Sequence, residues 1–113
     1  MEKNELFILW TSGDPVTSEN MVLMYATNGL LHSYWDNVTV IIWGASAKLV
    51  TENEAIQLKM KIAREAGVRF SACVSCAVNL GIRDKLEALG LEVRPWGGPL
   101  TEIIKNDRKL ITV

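Results

Sequence analysis

Cys73 and Cys76 are the only cysteines in the chain, and they stand three residues apart in Phe70-Ser71-Ala72-Cys73-Val74-Ser75-Cys76-Ala77. A strand pattern turns into a helix pattern at this point. A thiol at a helix N-terminus faces unpaired backbone N–H groups and the positive end of the helix dipole. Both favour the thiolate, the nucleophilic form of sulfur. Cys73, just before the helix, is better placed than Cys76, one turn inside, so Cys73 is the expected nucleophile. Cys76 is then the helper that resolves a mixed disulfide. Two residues three apart on a regular helix hold their Cβ atoms about 5–6 Å apart, whereas a disulfide needs about 3.5–4.5 Å. A Cys73–Cys76 bond therefore requires Cys73 to lie outside the helix, as its N-cap.

Other chemistries for the pair are weaker. A thioredoxin-like motif also places two cysteines at a helix start, but this chain lacks the usual Gly-Pro between them. Zinc takes four ligands, and His32, the single histidine, is distant in sequence. The bland alternative is that both cysteines are small buried core residues, as free cysteine often is. No nucleotide fingerprint occurs around Ser12-Gly13-Asp14. Asp14, Glu19 and Asp84 have no identifiable partner for acid–base work. No cofactor is expected.

The bulk composition narrows the classes. At 113 residues the chain reads as a single domain, 1–113, able to bury a substantial core. Its 49% hydrophobic and 22% charged residues suit a soluble globular protein. A formal net charge of −1 without a basic run gives no footprint of a nucleic-acid binder. Met1 to Glu5 is charged and Leu6 to Trp10 is too short for a signal core or membrane span. The expected compartment is the cytoplasm, where thiols stay reduced and a close pair reads as reactive.

The elements that must position the thiols alternate between strand and helix. Leu6 to Trp10 reads as a strand buried on both faces, and Asn37 to Trp43 as a second strand, rich in β-branched residues. Between them Thr17 or Ser18 would cap a helix running to about His32, with Met21, Met24, Tyr25 and the Leu30-Leu31 pair facing inward. Gly44-Ala45-Ser46 follows the second strand. Thr51 and Glu54 match a capping box for a helix carrying Ile56, Met60 and Ala63, stopped by Gly67. Val68 to Ala72 is the third strand. Short helices follow, to about Leu80 and over Asp84 to Leu89. Glu92 to Pro95 is a fourth strand near the sheet edge, its proline being tolerated there. A helix over Leu100 to Asn106 with Pro99 at its first position and a strand over Lys109 to Val113 complete the chain. The alternation predicts an α/β fold: a three-layer α/β/α arrangement around a mostly parallel five-stranded sheet.

Ligands of such sheets bind beyond the carboxyl ends of the strands. Parallel strands would bring four segments to that edge: Trp10 with Ser12 and Gly13, Trp43 with Gly44 and Ser46, the cysteines, and Trp96 with Gly97. Tryptophan is enriched in pockets and interfaces. The expectation is an aromatic pocket or subunit contact around the thiol, against the alternative that each Trp plugs the end of the sheet. Trp35, in the loop after the first helix, reads as structural.

Three segments of the chain resemble the DsrE/DsrF-like family, which includes the TusD-type sulfur carriers. They are Trp43-Gly44-Ala45-Ser46-Ala47-Lys48-Leu49, Ser71 to Ile82 with both cysteines, and Gly98-Pro99-Leu100-Thr101-Glu102. The resemblance covers nearly the whole chain, and the cysteine segment is its specific part. It implies a small α/β/α fold assembling into trimers or hexamers. It further implies a sulfurtransferase-like carrier that takes sulfur as a persulfide from a donor protein and passes it to an acceptor. The sulfur-bearing position of the family falls on Cys73, and Cys76 is additional to the TusD-type pattern. Cys76 could release the sulfur by closing onto Cys73. Alternatives from the residues are a dithiol redox protein or sensor cycling Cys73–Cys76, and a non-catalytic assembly module.

Overall fold

A computed structural model describes residues 4–113. Five strands, β1 (Glu5–Trp10), β2 (Asn37–Ile42), β3 (Arg69–Cys73), β4 (Glu92–Arg94) and β5 (Leu110–Thr112), form one sheet in the order β4-β3-β2-β1-β5. Every neighbouring pair is parallel. The short strands β4 and β5 are the two edges, and Pro95 follows β4 directly, where no ladder hydrogen bond is asked of it.

The connections explain an uneven pair of helical layers. From β1 to β4 the chain steps across the sheet in one direction, and β5 then returns to the far side of β1. Right-handed crossovers place helices on one face while the chain steps one way and on the other when it reverses. The first face therefore carries α1 (Pro15–Thr17), a π-helical segment (Ser18–Leu23), α2 (Met24–Leu31), α3 (Ala45–Glu52), α4 (Glu54–Ala66), α5 (Val74–Asn79) and α6 (Arg83–Ala88). Among the described residues the second carries only α7 (Gly97–Lys105).

The period-two alternation of the strands divides the core accordingly. Leu6, Ile8, Trp10, Val38, Val40, Ile42, Phe70 and Ala72 pack under α2 to α6. Phe7, Ile41 and Cys73 face the other way and cluster with Trp96 and with Ile103 of α7.

Local chemistry departs from the sequence expectations in three places. The first helix begins earlier, because Asp14 is its cap: the Asp14 carboxylate accepts the Thr17 N–H at 2.8 Å. That hydrogen bond holds the Asp14 pKa below its ordinary value. Its inward face is also different. Ser18, Val22, Leu23, Ala26 and Gly29 are buried, while Met21, Met24 and Leu31 are exposed. Small residues were chosen where the helix lies close: a Cβ on Gly29 would meet Trp35 at 3.2 Å. Trp35 donates from Nε1 to the Tyr25 hydroxyl at 3.2 Å. The third departure is α3, a helix ahead of the one expected to start at Thr51. It occupies Thr51, so the cap of α4 is Asn53, whose Oδ1 accepts the Ile56 N–H at 3.0 Å. Ile56, Met60 and Ala63 are buried as the spacing requires, and Gly67 closes the helix with φ +109°.

Candidate functional site

All four carboxyl ends named above do reach one edge of the sheet, since β1 to β4 are parallel. Their side chains do not form one pocket. Trp10 is fully buried beneath the helices and donates from Nε1 to the Ser18 hydroxyl at 2.9 Å. Ser46 is a buried lock: its hydroxyl donates to the Trp10 carbonyl at 2.5 Å and accepts the Trp43 N–H at 3.1 Å. Ser12 accepts the Asp14 N–H. Gly13 lets its loop approach α3, where a Cβ would stand 3.1 Å from that of Ala45. Trp43 and Trp96 belong to the opposite face, in the cluster that contains Cys73. Trp96 donates from Nε1 to Ser71 Oγ at 2.8 Å. Gly97 opens α7 on the surface.

The two thiols come together at the junction of β3 and α5. Cys73 is the N-cap of α5, with extended backbone (φ −70°, ψ 121°), so it lies outside the helix proper. Its side chain is 4% exposed and points into the apolar cluster under α7. It makes no capping hydrogen bond to α5. Cys76, one turn on, is half-buried and packs against the same cluster. The sequence reading gives Cys73 the leading part and Cys76 the supporting one. In the structure it is Cys76 whose sulfur reaches a cavity.

That cavity, of about 410 Å³, lies between the first turn of α3 and the last turn of α5 and is lined by Gly44, Ala45, Lys48, Cys76, Asn79 and Leu80. The Gly44 N–H donates to Cys76 Sγ at 3.3 Å. Gly44 holds φ +71° and ψ −131°, a conformation that a side chain makes costly, and a Cβ there would meet nothing within 4 Å. Glycine is thus required by the backbone alone, and that backbone aims an amide at the sulfur.

The electrostatics of Cys76 are a balance. Burial raises its thiol pKa above the ordinary value and is the largest influence. The Gly44 amide opposes it. The Cys73 thiol, in hydrogen-bonding contact, raises the pKa further. At neutral pH Cys76 is accordingly held as the thiol, with one donor in place to stabilise negative charge as it develops on sulfur. Gly44 stood among the candidate pocket residues. Ala45, Lys48, Asn79 and Leu80 did not. The signal for the first two was hidden in α3, the helix that local sequence did not reveal.

This architecture has known counterparts. The sequence profile of the DsrE/DsrF-like family matches residues 5–113. The chain belongs to that family. A conserved protein of unknown function from Bacteroides thetaiotaomicron, BT1422, is similar in structure with a TM-score of 0.93 at 36% identity, over 97% of this chain and 95% of that one. MTH1491 of Methanobacterium thermoautotrophicum, also of unknown function, shares the fold with a TM-score of 0.72 at 17% identity, over 96% of this chain and 97% of that one. No curated protein matches the chain. Membership is consistent with a sulfur-relay role. No helix among the described residues is long and apolar enough to cross a membrane.

Proposed function

We propose that this protein carries sulfur as a persulfide, received on Cys76 and backed by Cys73. The observation that supports this most directly is a sulfur at a cavity mouth, with a backbone donor on one side and a second thiol in contact on the other. Cys76, deprotonated on demand, attacks the terminal sulfur of a donor persulfide. The donor leaves as a thiol and Cys76 gains one sulfur atom. Two exits balance. An acceptor thiolate takes the terminal sulfur and returns Cys76 to its thiolate. Alternatively Cys73 attacks the inner sulfur of Cys76, forming the Cys73–Cys76 disulfide and releasing sulfide. A thiol reductant, supplying two electrons, then restores the pair. Cys73 is suited to the second exit because its place as N-cap frees it from helical spacing. The proposal includes donor and acceptor proteins and self-assembly into trimers or hexamers.

Intact-mass measurement after treatment with a polysulfide donor tests the reading. One added sulfur is expected on the native chain and on the Cys73→Ser variant. None is expected on Cys76→Ser. Sulfide release without an acceptor should require both thiols. Loading that survives Cys76→Ser and vanishes with Cys73→Ser would return the leading part to Cys73. The contact between the thiols also favours a second reading, a dithiol redox cycle. There the native chain loses two hydrogens and Cys73→Ser, in which the disulfide exit is closed, gains no sulfur.

A further inference from the structure

We propose that a second cavity, toward the amino ends of the strands on the face covered by α7, binds a small polar molecule bearing a carboxylate or phosphate. The cavity measures about 460 Å³ and is lined by Thr39, Arg69, Ser71, Glu92, Arg94 and Trp96 among others. That volume suits a small-molecule site. Register builds it: Thr39 lies opposite Arg69, and Ser71 opposite Glu92, all on one face. Thr39 and Ser71 form a floor of hydroxyl side chains that are 8% and 4% exposed. Buried hydroxyls need polar partners. For Ser71 these are on view. Its hydroxyl accepts the Trp96 N–H and hydrogen-bonds a Glu92 carboxylate oxygen at 2.5 Å.

The charges in the cavity point to the ligand. Two carboxylates line it: Glu5 is paired with Arg108, and Glu92 accepts the Ser71 hydroxyl but keeps its charge. The Arg64 guanidinium is committed to the carbonyls of Leu89 and Gly90. Arg69 and Arg94 remain, and neither makes an ion pair among the described residues. Arg94 is held over the Trp96 ring at 4.9 Å, which restricts its orientation before anything binds. Two unpaired guanidinium groups against the single uncompensated carboxylate of Glu92 leave an excess positive charge that fits an oxyanion, which they can grip in paired hydrogen bonds. The apolar rings present little free surface, because Arg94 and Arg108 cover Trp96 and Phe7. A polar organic acid or phosphate ester fits better than a lipid.

Succinate and inorganic phosphate are the probes, each titrated calorimetrically at fixed ionic strength into the full chain, with chloride as the control. Saturable binding of one probe, at one site per chain, is expected. Succinate alone would identify a carboxylate ligand, and phosphate alone a phosphoryl ligand. Arg69→Gln and Arg94→Gln should each weaken binding about tenfold, the loss of a charge-assisted contact. Arg83→Gln, at an exposed residue outside the lining, should leave it unchanged. Cys76→Ser should also leave it unchanged, so failure of the sulfur reading is separable from failure here. The absence of saturable binding by either probe would overturn the proposal. So would binding that survives both arginine substitutions.

Discussion

The reactivity of Cys76 should depend on a glycine that never touches a substrate. Gly44→Ala places a methyl in open space, so no steric clash arises. The cost comes from the backbone: an L residue at φ +71°, ψ −131° is strained by about 1–3 kcal/mol. The chain can relieve that strain by rotating the Gly44 peptide, which carries its N–H away from Cys76 Sγ. The hydrogen bond lost is 3.3 Å long and lies on a half-buried sulfur. It is therefore worth about 0.5–1.5 kcal/mol, equivalent to a roughly two- to twelvefold change in thiolate population at neutral pH. The sign is fixed by the balance at this thiol. Burial raises its pKa and the Gly44 amide lowers it, so removing the amide raises it further. In the native chain, alkylation of Cys76 followed by mass spectrometry should be slow at pH 7. It should keep accelerating beyond pH about 8.5, the ordinary thiol value. In Gly44→Ala the whole profile should move to higher pH. Gly90→Ala supplies the control, because Gly90 also has positive φ (+79°) but lies outside the lining of the thiol cavity. It should lose comparable stability in urea and leave the alkylation profile in place. An unchanged profile in a folded Gly44→Ala protein would refute the assignment of the amide to the sulfur. A native profile already flat above pH 7 would refute the raised pKa.

Other substitutions probe the frame around this site. Ser46→Ala removes the hydroxyl that joins the ends of β1 and β2 through the Trp10 carbonyl and the Trp43 amide. It should cost about 0.5–1.5 kcal/mol in urea unfolding, the net worth of a hydrogen bond, because the Trp43 N–H still donates to the Trp10 carbonyl at 3.0 Å. Asn53→Ala should cost about 0.5–2 kcal/mol by removing the cap of α4, whereas Thr51→Ala should leave that cap intact. Equal losses from the two would show that the capping box, and not Asn53, starts the helix.

What the sequence alone determined follows from short-range physics. Alternating apolar runs and helical spacing required a parallel α/β sheet, and the turn residues marked its boundaries. Gly67 announced the end of α4, and Pro95 announced an edge strand. The cysteine segment pointed to a thiol site at the end of β3 and gave the condition for closing the pair, that Cys73 cap the helix. Tertiary structure decided the rest. Local spacing favoured the large apolar residues of the first helix, but close approach to the sheet selected Ala26 and Gly29. The carboxyl edge gathered the tryptophans in the backbone, yet strand alternation sent Trp10 to one face and Trp43 and Trp96 to the other. Which thiol meets solvent was a matter of the same kind. Cys73 ends a strand with its side chain turned beneath α7, while Cys76 emerges between α5 and a loop more than thirty residues earlier in the chain, at Gly44. Exposure and the donor on the sulfur both depend on contacts between segments distant in sequence, and no local pattern encodes those.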